Sequence, residues 1–433
     1  MKLEAVKSLV LIVLIGFSLL LSFGLWRYQP SLDNLNNTSY IDEMDIGGVE
    51  ETKSSLIEPK SIVFHTNGHY YVYEDPRDQE DLYDRMKTWE LDDFYVADSN
   101  GKESQVFEIE VVFPEELPME VLKSIFQFDK PDIQMPSWSF ERIYLAFNQD
   151  TASVHLEIPS IDGRQKAHAV MNDPNVYENL WGKIASLNGL EEHVLFDEGR
   201  EPIYLPDQPV STREHSLAIS RLDVNALVNA LFQTPSVVRQ TYDGGESYYN
   251  DGQRQMRVFQ YGRNMEFYNP NSSNQESLPA MELLNRSISN INGHFGWTDD
   301  YRLARLNTGS NSVRYRMYYA GYPVFNSSGL SVIEQEWRDV GLHQYSRPLF
   351  TLDDSFAGDL VELPSGTEVI SHLRGTDYNL GNIGDIQLGY RLTYEMHENN
   401  ATAYLAPAWY MEYNGIWREL SFEDVPPLNE GGQ

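Results

Sequence analysis

The sequence predicts an α+β protein with one N-terminal transmembrane helix, followed by a multi-domain ectodomain of antiparallel sheets packed with helices. Three observations lead to this prediction. An uncharged apolar run of nineteen residues lies close to the N-terminus. Short strands with alternating apolar residues recur along the rest of the chain and meet at Asn-Gly or Asp-Gly turns. Amphipathic helices opened by Asp or Pro lie between these strands.

The apolar run from Ser8 to Trp26 is the predicted transmembrane helix. A helix that rises about 1.5 Å per residue would span roughly 28 Å here, close to the roughly 30 Å of a bilayer's hydrocarbon layer. Trp26 and Tyr28 then lie at the membrane interface, where aromatic residues are enriched. Lys2 and Lys7 precede the run, so residues 1–7 are expected in the cytoplasm and the remainder outside the cell.

A cleaved signal peptide is the alternative interpretation of this run. The apolar stretch continues through Leu25 and Trp26 and is longer than the usual export core, which favours a retained anchor. The chain is therefore predicted to be a single-pass protein of the cell membrane, with its ectodomain extracellular.

The composition excludes several classes of protein. The 433 residues include 65 acidic and 32 basic side chains, which gives a net charge of −33 at pH 7. The sequence contains no cluster of Lys and Arg that could neutralise nucleic-acid phosphates, so a nucleic-acid partner is not expected. The absence of cysteine excludes disulfides, thiolate metal ligands and a cysteine nucleophile. Stability must therefore come from packing.

Changes of pattern along the chain predict the domain organisation. Residues 27–59 are polar and acidic and lack helical or strand periodicity, so they are expected to form an extracellular tether. Three α+β domains are then predicted, at 60–208, 209–330 and 331–424. A flexible tail, 425–433, follows them.

The first domain is predicted from a hairpin turn, two helix caps and an alternating strand. Asn67-Gly68 separates two apolar strands, and such a pair readily adopts the positive φ values of a tight turn. Asp75 and Asp173 each precede a proline and should cap a helix. The alternation from Val106 to Phe113 predicts a half-buried strand.

The two later domains are predicted to repeat the scheme of a helix followed by antiparallel strands. In the second domain, Asp223 and Pro279 should begin helices, and glycines near 244 and 252 should form turns. In the third, a helix from Gly366 to Leu373 precedes a long strand from Ile386 to Met396. A final hairpin turns at Asn414-Gly415.

No residue set has the spacing of a catalytic, cofactor or metal site. His65 and His69 flank a predicted turn, so they are expected to be exposed cross-strand neighbours and not zinc ligands. The acidic stretch Asp353 to Asp359 lacks the regular ligand spacing and closing Glu of a calcium loop, and is interpreted as a solvated loop. Adjacent pairs such as Asp299-Asp300 and Glu191-Glu192 do not place two carboxylates across a cleft. The sequence therefore predicts no cofactor and no enzyme.

Four aromatic residues lie close together in the final hairpin. Strand alternation should place some of Trp409, Tyr410, Tyr413 and Trp417 in the core and leave the others on an exposed sheet face. Tyr and Trp are enriched at protein interfaces. The exposed members are therefore candidates for an ectodomain interface.

Six short segments, in this order, resemble the YycH (WalH) family of regulators. These segments are Asp251–Met256, Met265–Pro270, Gly296–Asp299, Leu363–Gly366, Ile386–Tyr390 and Pro407–Tyr410. The resemblance covers the apolar N-terminal run and roughly residues 211–420, whereas residues 60–208 are supported mainly by their position.

The resemblance implies a function and partners. Members of the family combine one membrane helix with an α+β ectodomain and, together with the related protein YycI, regulate the sensor histidine kinase YycG (WalK), which controls cell-wall metabolism. The family has no catalytic residues to assign, and it places the kinase contact largely in the membrane helix. A homo-oligomer is compatible with the sequence. The alternative is a membrane-tethered wall-active enzyme or glycan-binding protein.

One face of the predicted membrane helix suits a partner helix. Ser18 and Ser22 are four residues apart and share a face, and small residues allow two helices in lipid to approach closely. The flanking apolar residues are Leu11, Leu14, Ile15 and Leu25. Both hydroxyls could instead bond their own backbone carbonyls, so the partner-helix contact is a hypothesis.

Overall fold

The fold is described by a computed structural model for residues 44–99, 107–130, 132–270, 276–338, 341–397 and 400–422. The predicted membrane helix, the start of the predicted tether and the predicted tail lie outside these residues. Within the described ranges, every helix is too short or too polar to cross a bilayer. The described residues from Asp45 onward form one compact unit.

Ten strands form the first sheet, in the spatial order β10-β9-β2-β1-β4-β6-β7-β8-β3-β5. Its strands are β1 Ser61–Thr66, β2 His69–Tyr73, β3 Glu90–Asp98, β4 Ile109–Pro118, β5 Gln127–Phe128, β6 Ser139–Asn148, β7 Ser153–Pro159, β8 Gln165–Met171, β9 Leu190–Phe196 and β10 Ile203–Pro206. All pairs are antiparallel except β3 with β5.

Fourteen strands form the second sheet, in the order β12-β13-β14-β15-β20-β19-β17-β18-β22-β23-β11-β21, with β16 beside β17 and β24 beside β23. Its strands are β11 Val210–Arg221, β12 Arg239–Asp243, β13 Glu246–Asn250, β14 Gln255–Phe259, β15 Asn264–Tyr268, β16 Tyr301–Asn307, β17 Ser312–Tyr319, β18 Tyr322–Phe325, β19 Val332–Arg338, β20 Gly341–Pro348, β21 Phe350–Leu363, β22 Ile383–His397, β23 Asn400–Tyr413 and β24 Ile416–Glu419. Only β18 and β22 pair in parallel.

The first sheet ends just before the predicted domain boundary at 208/209. Strands from both later predicted domains share the second sheet, where β15 pairs with β20. The exact domain boundaries stay a prediction.

Seven α-helices occur in the described residues. They are α1 Lys53–Leu56, α2 Pro76–Met86, α3 Leu122–Ile125, α4 Pro174–Ser186, α5 Val224–Leu231, α6 Ala280–Asn292 and α7 Gly366–Arg374. The predicted caps are confirmed: the side chains of Asp75, Asp173 and Asp223 each accept a hydrogen bond from the backbone N–H two residues later. Pro279 precedes α6, as the sequence predicts.

The predicted hairpin turns are also confirmed. Asn67 and Gly68 have φ values of 52° and 82°, and Asn414 and Gly415 have 54° and 77°. These left-handed conformations suit Asn and Gly, and they match the twist of the flanking antiparallel strands.

Residues 45–59 differ from the extracellular tether that the sequence predicts. Ile46, Leu56 and Ile57 are buried in the main core, and Val49 forms a bridge with Trp297. The sequence shows no periodicity here because only a few apolar residues of this segment are buried, and most of the core that they join is formed by other segments. The tether prediction is therefore wrong for this part of 27–59.

The hydrophobic core is continuous across the two sheets. One cluster of buried residues contains Phe64 and Phe113 of the first sheet together with Trp297 and Tyr315 of the second half. A second cluster packs α7 against β9 and β10, where a Cβ on Gly366 would lie 2.4 Å from the Leu205 Cβ. Only glycine allows this close approach, so the first turn of α7 touches the first sheet directly.

Candidate functional site

Arg302 links the halves of the fold that are built on the two sheets. It lies on β16 and its side chain is 10% exposed. The guanidinium contacts the carboxylates of Glu58 at 2.6 Å, Glu80 at 2.6 Å and Asp300 at 2.8 Å. Burial disfavours its charge, but the hydrogen bonds to Asp300 and the attraction of the carboxylates raise the pKa of Arg302. It is therefore a permanent cation at the junction.

A second ion pair crosses the same junction. Lys60, just before β1, contacts Asp385 on β22, with Nζ 2.8 Å from Oδ1. Burial raises the pKa of Glu58 to about 7, although Arg302 favours its ionised form. The junction therefore contains both ion pairs and a carboxyl that titrates near neutrality.

A polar cleft of about 420 Å³ lies between the two sheets. β4 and β6 contribute from the first sheet, and β16, β17, β22 and β23 contribute from the second. Its charged lining residues are Lys60, Glu115, Glu116, Glu141, Arg142, Arg200, Glu201, Arg305, Arg314, Arg316, Asp385 and Glu412. Six basic and six acidic side chains face this space. The net charge of the cleft therefore depends on how many of these side chains are protonated at a given pH.

Three of the cleft carboxyls have raised pKa values. Burial raises the pKa of Glu115 to about 7, opposed by Arg305 and reinforced by neighbouring glutamates. Burial also raises the pKa of Glu141 and Glu412, and Asp385 adds to the effect at Glu412. Carboxyls from both sheets therefore exchange protons with solvent closer to neutral pH than ordinary glutamates do.

A buried polar network next to this cleft stabilises the centre of the first sheet. Glu110 on β4 is 2% exposed and accepts hydrogen bonds from Arg142, from the Tyr204 hydroxyl at 2.7 Å and from His65 Nε2 at 3.1 Å. Burial alone would raise the pKa of Glu110, but these hydrogen bonds and the guanidinium charge lower it.

The prediction of a half-buried strand from Val106 to Phe113 is wrong for β4, because residues Ile109–Phe113 are all buried.

The two histidines of the first hairpin do not face each other. His65 pairs with Tyr70 across the hairpin and His69 pairs with Thr66. The side chain of His65 is only 16% exposed, because it packs against aromatic rings and contacts Glu110, whereas exposed His69 contacts Glu192 at 2.5 Å. The expectation of exposed cross-strand neighbours is therefore wrong for the pairing and for the exposure of His65, and right for the exposure of His69. Among the described residues, no group of His, Asp and Glu could hold a metal ion.

The acidic stretch from Asp353 to Asp359 is not a loop. It belongs to β21, which pairs with β11 along nearly its whole length, from Val210–Leu363 to Arg221–Phe350. Aspartate is depleted in strands, so its local preference misleads the sequence interpretation, while the partner strand imposes the conformation.

The adjacent carboxylates have structural contacts. Asp299 accepts hydrogen bonds from the Leu352 N–H at 2.8 Å and from the Thr351 hydroxyl at 3.2 Å, and burial raises its pKa. Its neighbour Asp300 binds Arg302. These two carboxylates therefore serve different contacts and do not flank a common space.

The aromatic residues of the final hairpin lie in two environments. Trp409 and Tyr410 are buried, with the indole N–H of Trp409 donating to the Pro364 carbonyl at 2.9 Å. Tyr413 and Trp417 are half-buried. The use of this hairpin as an ectodomain interface stays a prediction, with Tyr413 and Trp417 as its accessible members.

The residues predicted for the membrane and its partner helix lie outside the described residues. They are Lys2, Lys7, Leu11, Leu14, Ile15, Ser18, Ser22, Leu25, Trp26 and Tyr28. Their roles stay predictions.

Comparison with known proteins identifies the family. The sequence matches the model of the YycH protein N-terminal domain over residues 4–189 and that of the YycH protein C-terminal domain over residues 200–425. The chain belongs to the YycH family. This confirms the resemblance seen in the six short segments, and extends it to the first half of the chain.

Both the sequence and the crystal structure of YycH from Bacillus subtilis align with most of the chain. The two-component system WalR/WalK regulatory protein YycH of Bacillus subtilis (strain 168) is 23% identical over 441 residues, which cover 96% of each chain. The crystal structure of YycH from Bacillus subtilis superposes with a TM-score of 0.72 at 20% identity, covering 88% of this chain and 100% of that one. The structural likeness confirms the α+β class of the fold.

The buried charged residues of the first sheet and of the junction are not apparent from the sequence. Glu110, Arg142 and Arg302 occur in strands without any motif. Several of their partners are distant in the sequence, since Arg142 lies 32 residues from Glu110 and Arg302 lies 244 residues from Glu58. A charged residue at an inward position of an otherwise apolar strand, as at Glu110, was the one available signal.

Proposed function

We propose that this YycH-family chain is a non-enzymatic, membrane-anchored extracytoplasmic regulator of a WalK-type sensor histidine kinase that controls cell-wall metabolism. A YycI-like membrane protein is its second partner. The observation that carries the proposal is the family match over both halves of the chain, including a relative that bears the description of a WalR/WalK regulatory protein.

The topology in this proposal rests on the N-terminal sequence. Residues 8–26 are long and apolar enough to span the bilayer once, and the basic residues precede them. The cytoplasmic side would then hold only the first seven residues, so signals must pass through the membrane helix or the ectodomain. Fractionation tests the anchor: the chain should stay in the membrane pellet until detergent is added. A mature protein that begins at Leu25 and leaves without detergent would contradict it.

Affinity purification tests the partners. The full-length chain, tagged at its own locus in its host and solubilised in detergent, should recover the WalK-type kinase and the YycI-like protein. A tagged unrelated single-pass protein of similar abundance is the control. Recovery of neither partner, also after chemical crosslinking, would refute the proposed function.

A pair of variants tests the contribution of the membrane helix. Replacing Ser18 and Ser22 together by Leu keeps the segment apolar but prevents close approach of a second helix, so capture of both partners should fall. The matched control replaces Val13 and Leu20, which lie off this face, by other apolar residues. Unchanged partner capture and unchanged output of the kinase-controlled genes in the double Ser variant would exclude this face from the mechanism.

A further inference from the structure

A groove lined by five arginines lies on the second half of the fold, and we call it the arginine groove. The arginines are Arg263, Arg314, Arg316, Arg391 and Arg418, and the volume of the groove is about 950 Å³. Among the described residues, Glu334 and Glu419 are the two carboxylates that line it with them. The groove is therefore locally positive in a chain whose net charge is −33.

Two of the five arginines are neutralised and three are not. Arg314 binds both carboxylate oxygens of Glu334 at 3.0 Å, and Arg391 binds Glu419 at 2.7 Å. Within the part of the chain that the structure describes, Arg263, Arg316 and Arg418 have no carboxylate partner. The unneutralised cations are the groups available to an anionic ligand.

Aromatic rings contact all three of these guanidinium groups, and that of Arg418 lies 5.8 Å from the Tyr413 ring. The centre of the Arg316 guanidinium lies 4.2 Å from the Phe325 ring and 5.8 Å from the Trp417 ring, and that of Arg263 lies 4.7 Å from the Tyr394 ring. Such stacking covers the flat faces of a guanidinium and leaves its N–H edges for planar, bidentate contact with a carboxylate.

Arg316 is the most buried of the set. It is 8% exposed, and the one neutral acceptor within reach of its Nη1 is the Val324 carbonyl at 3.3 Å. Burial lowers the pKa of Arg316 to about 10, so it is still a cation at pH 7. A buried cation that contacts no carboxylate is costly, and a carboxylate from a ligand would relieve that cost.

A free strand edge determines the class of ligand. β24 contributes to the wall of the groove and, among the described strands, pairs only with β23. The N–H and C=O groups on the other edge of such a strand can pair with an extended polypeptide, which a glycan cannot imitate. The exposed side chain of Ile416, on the same strand, offers an apolar contact as well.

We propose that the arginine groove binds an extended acidic segment of a partner protein. Main-chain pairing with β24 would position the segment, and its carboxylates would meet Arg263, Arg316 and Arg418. The acidic remainder of this chain repels such a segment, so the groove would also set the orientation of the complex. This interaction goes beyond the proposed kinase partnership, because it concerns a described surface of the fold and not the membrane helix.

Fluorescence anisotropy of a labelled peptide tests the proposal. The probe is a fluorescein-labelled decapeptide of alternating Glu and Val, titrated with the full-length chain in detergent at low salt. Saturable binding is expected, and the double variant Arg263→Gln, Arg418→Gln should raise the Kd at least tenfold. Arg239→Gln, an exposed arginine on β12 outside the groove, is the matched control and should bind like the wild type.

Three results would overturn the proposal. They are absence of saturable binding to the wild type, an unchanged Kd in the double variant, and displacement of the peptide by polygalacturonate at equal carboxylate concentration. The last result would make the ligand an anionic glycan. Arg316→Gln should also weaken binding, and the double variant decides the matter if Arg316→Gln fails to fold. The assay contains no kinase, so its outcome is separate from that of the affinity purification.

Discussion

Replacing Glu115 by Gln should make the protein more stable at alkaline pH. Glu115 lies on β4 in the cleft between the sheets, where burial raises its pKa from 4.5 to about 7. The folded state therefore binds a proton more tightly than the unfolded state. The stability from this proton is fully present below about pH 4.5 and is lost as the pH rises through about 7.

The size of the effect follows from the pKa shift. One pKa unit corresponds to about 1.4 kcal/mol, so the shift sets a ceiling of about 3 kcal/mol on the stability lost by pH 8.5. Glu115 is only partly buried, and solvent screening should reduce the measured value to about 1–2 kcal/mol. Glutamine has nearly the same shape and no charge to desolvate, so the variant should avoid this loss.

Urea denaturation of the full-length chain, followed by tryptophan fluorescence between pH 5.5 and 8.5, measures the effect. The free energy of unfolding of Glu115→Gln should exceed that of the wild type by more at pH 8.5 than at pH 5.5, where only part of the loss has occurred. Glu120→Gln changes an exposed glutamate that does not contribute to the raised pKa of Glu115, and it is the matched control. Equal pH slopes for wild type and Glu115→Gln would refute the argument from desolvation.

Three further predictions concern stability. Arg347 is fully buried and donates to the Gly296 carbonyl at 2.7 Å. Arg347→Met should therefore lower the free energy of unfolding, measured by urea denaturation, by about 3–5 kcal/mol. A loss below about 1 kcal/mol would contradict this prediction. Gly366→Ala should cost about 1–3 kcal/mol because its new Cβ would strike Leu205, whereas Gly182→Ala on α4 meets open space and should be neutral or stabilising by up to about 1 kcal/mol; equal melting temperatures for the two variants would exclude the close approach. EDTA should leave the melting temperature of the full-length chain unchanged, and a fall of several degrees would indicate a structural metal ion.

Local signals were sufficient wherever a few neighbouring residues decide the conformation. The capping carboxylate of Asp75 reaches the N–H of Arg77, two residues later, and Asn67-Gly68 sets its own turn by the φ values it tolerates. Such contacts are contained within a short segment, so their residues identify them.

The candidate sites required the folded chain. The arginine groove combines Arg263 near one turn, Arg316 on β17 and Arg418 on β24, which are separated by as many as 155 residues in the sequence. Nothing in the spacing of these arginines predicts that they meet, because each lies in a strand or turn with an unremarkable local pattern. The raised pKa of Glu115 likewise depends on burial under the second sheet.

By itself, the sequence determined the α+β class, the positions of most helices and hairpins, and the family. Only the tertiary structure decided that residues 45–59 join the core, that the acidic stretch Asp353 to Asp359 is a strand, and which charged side chains face one another. The physical reason is the range of the interactions. Caps and turns act over two to four residues, whereas strand pairing, burial and the electrostatics that depend on burial act between segments that only the completed fold brings together.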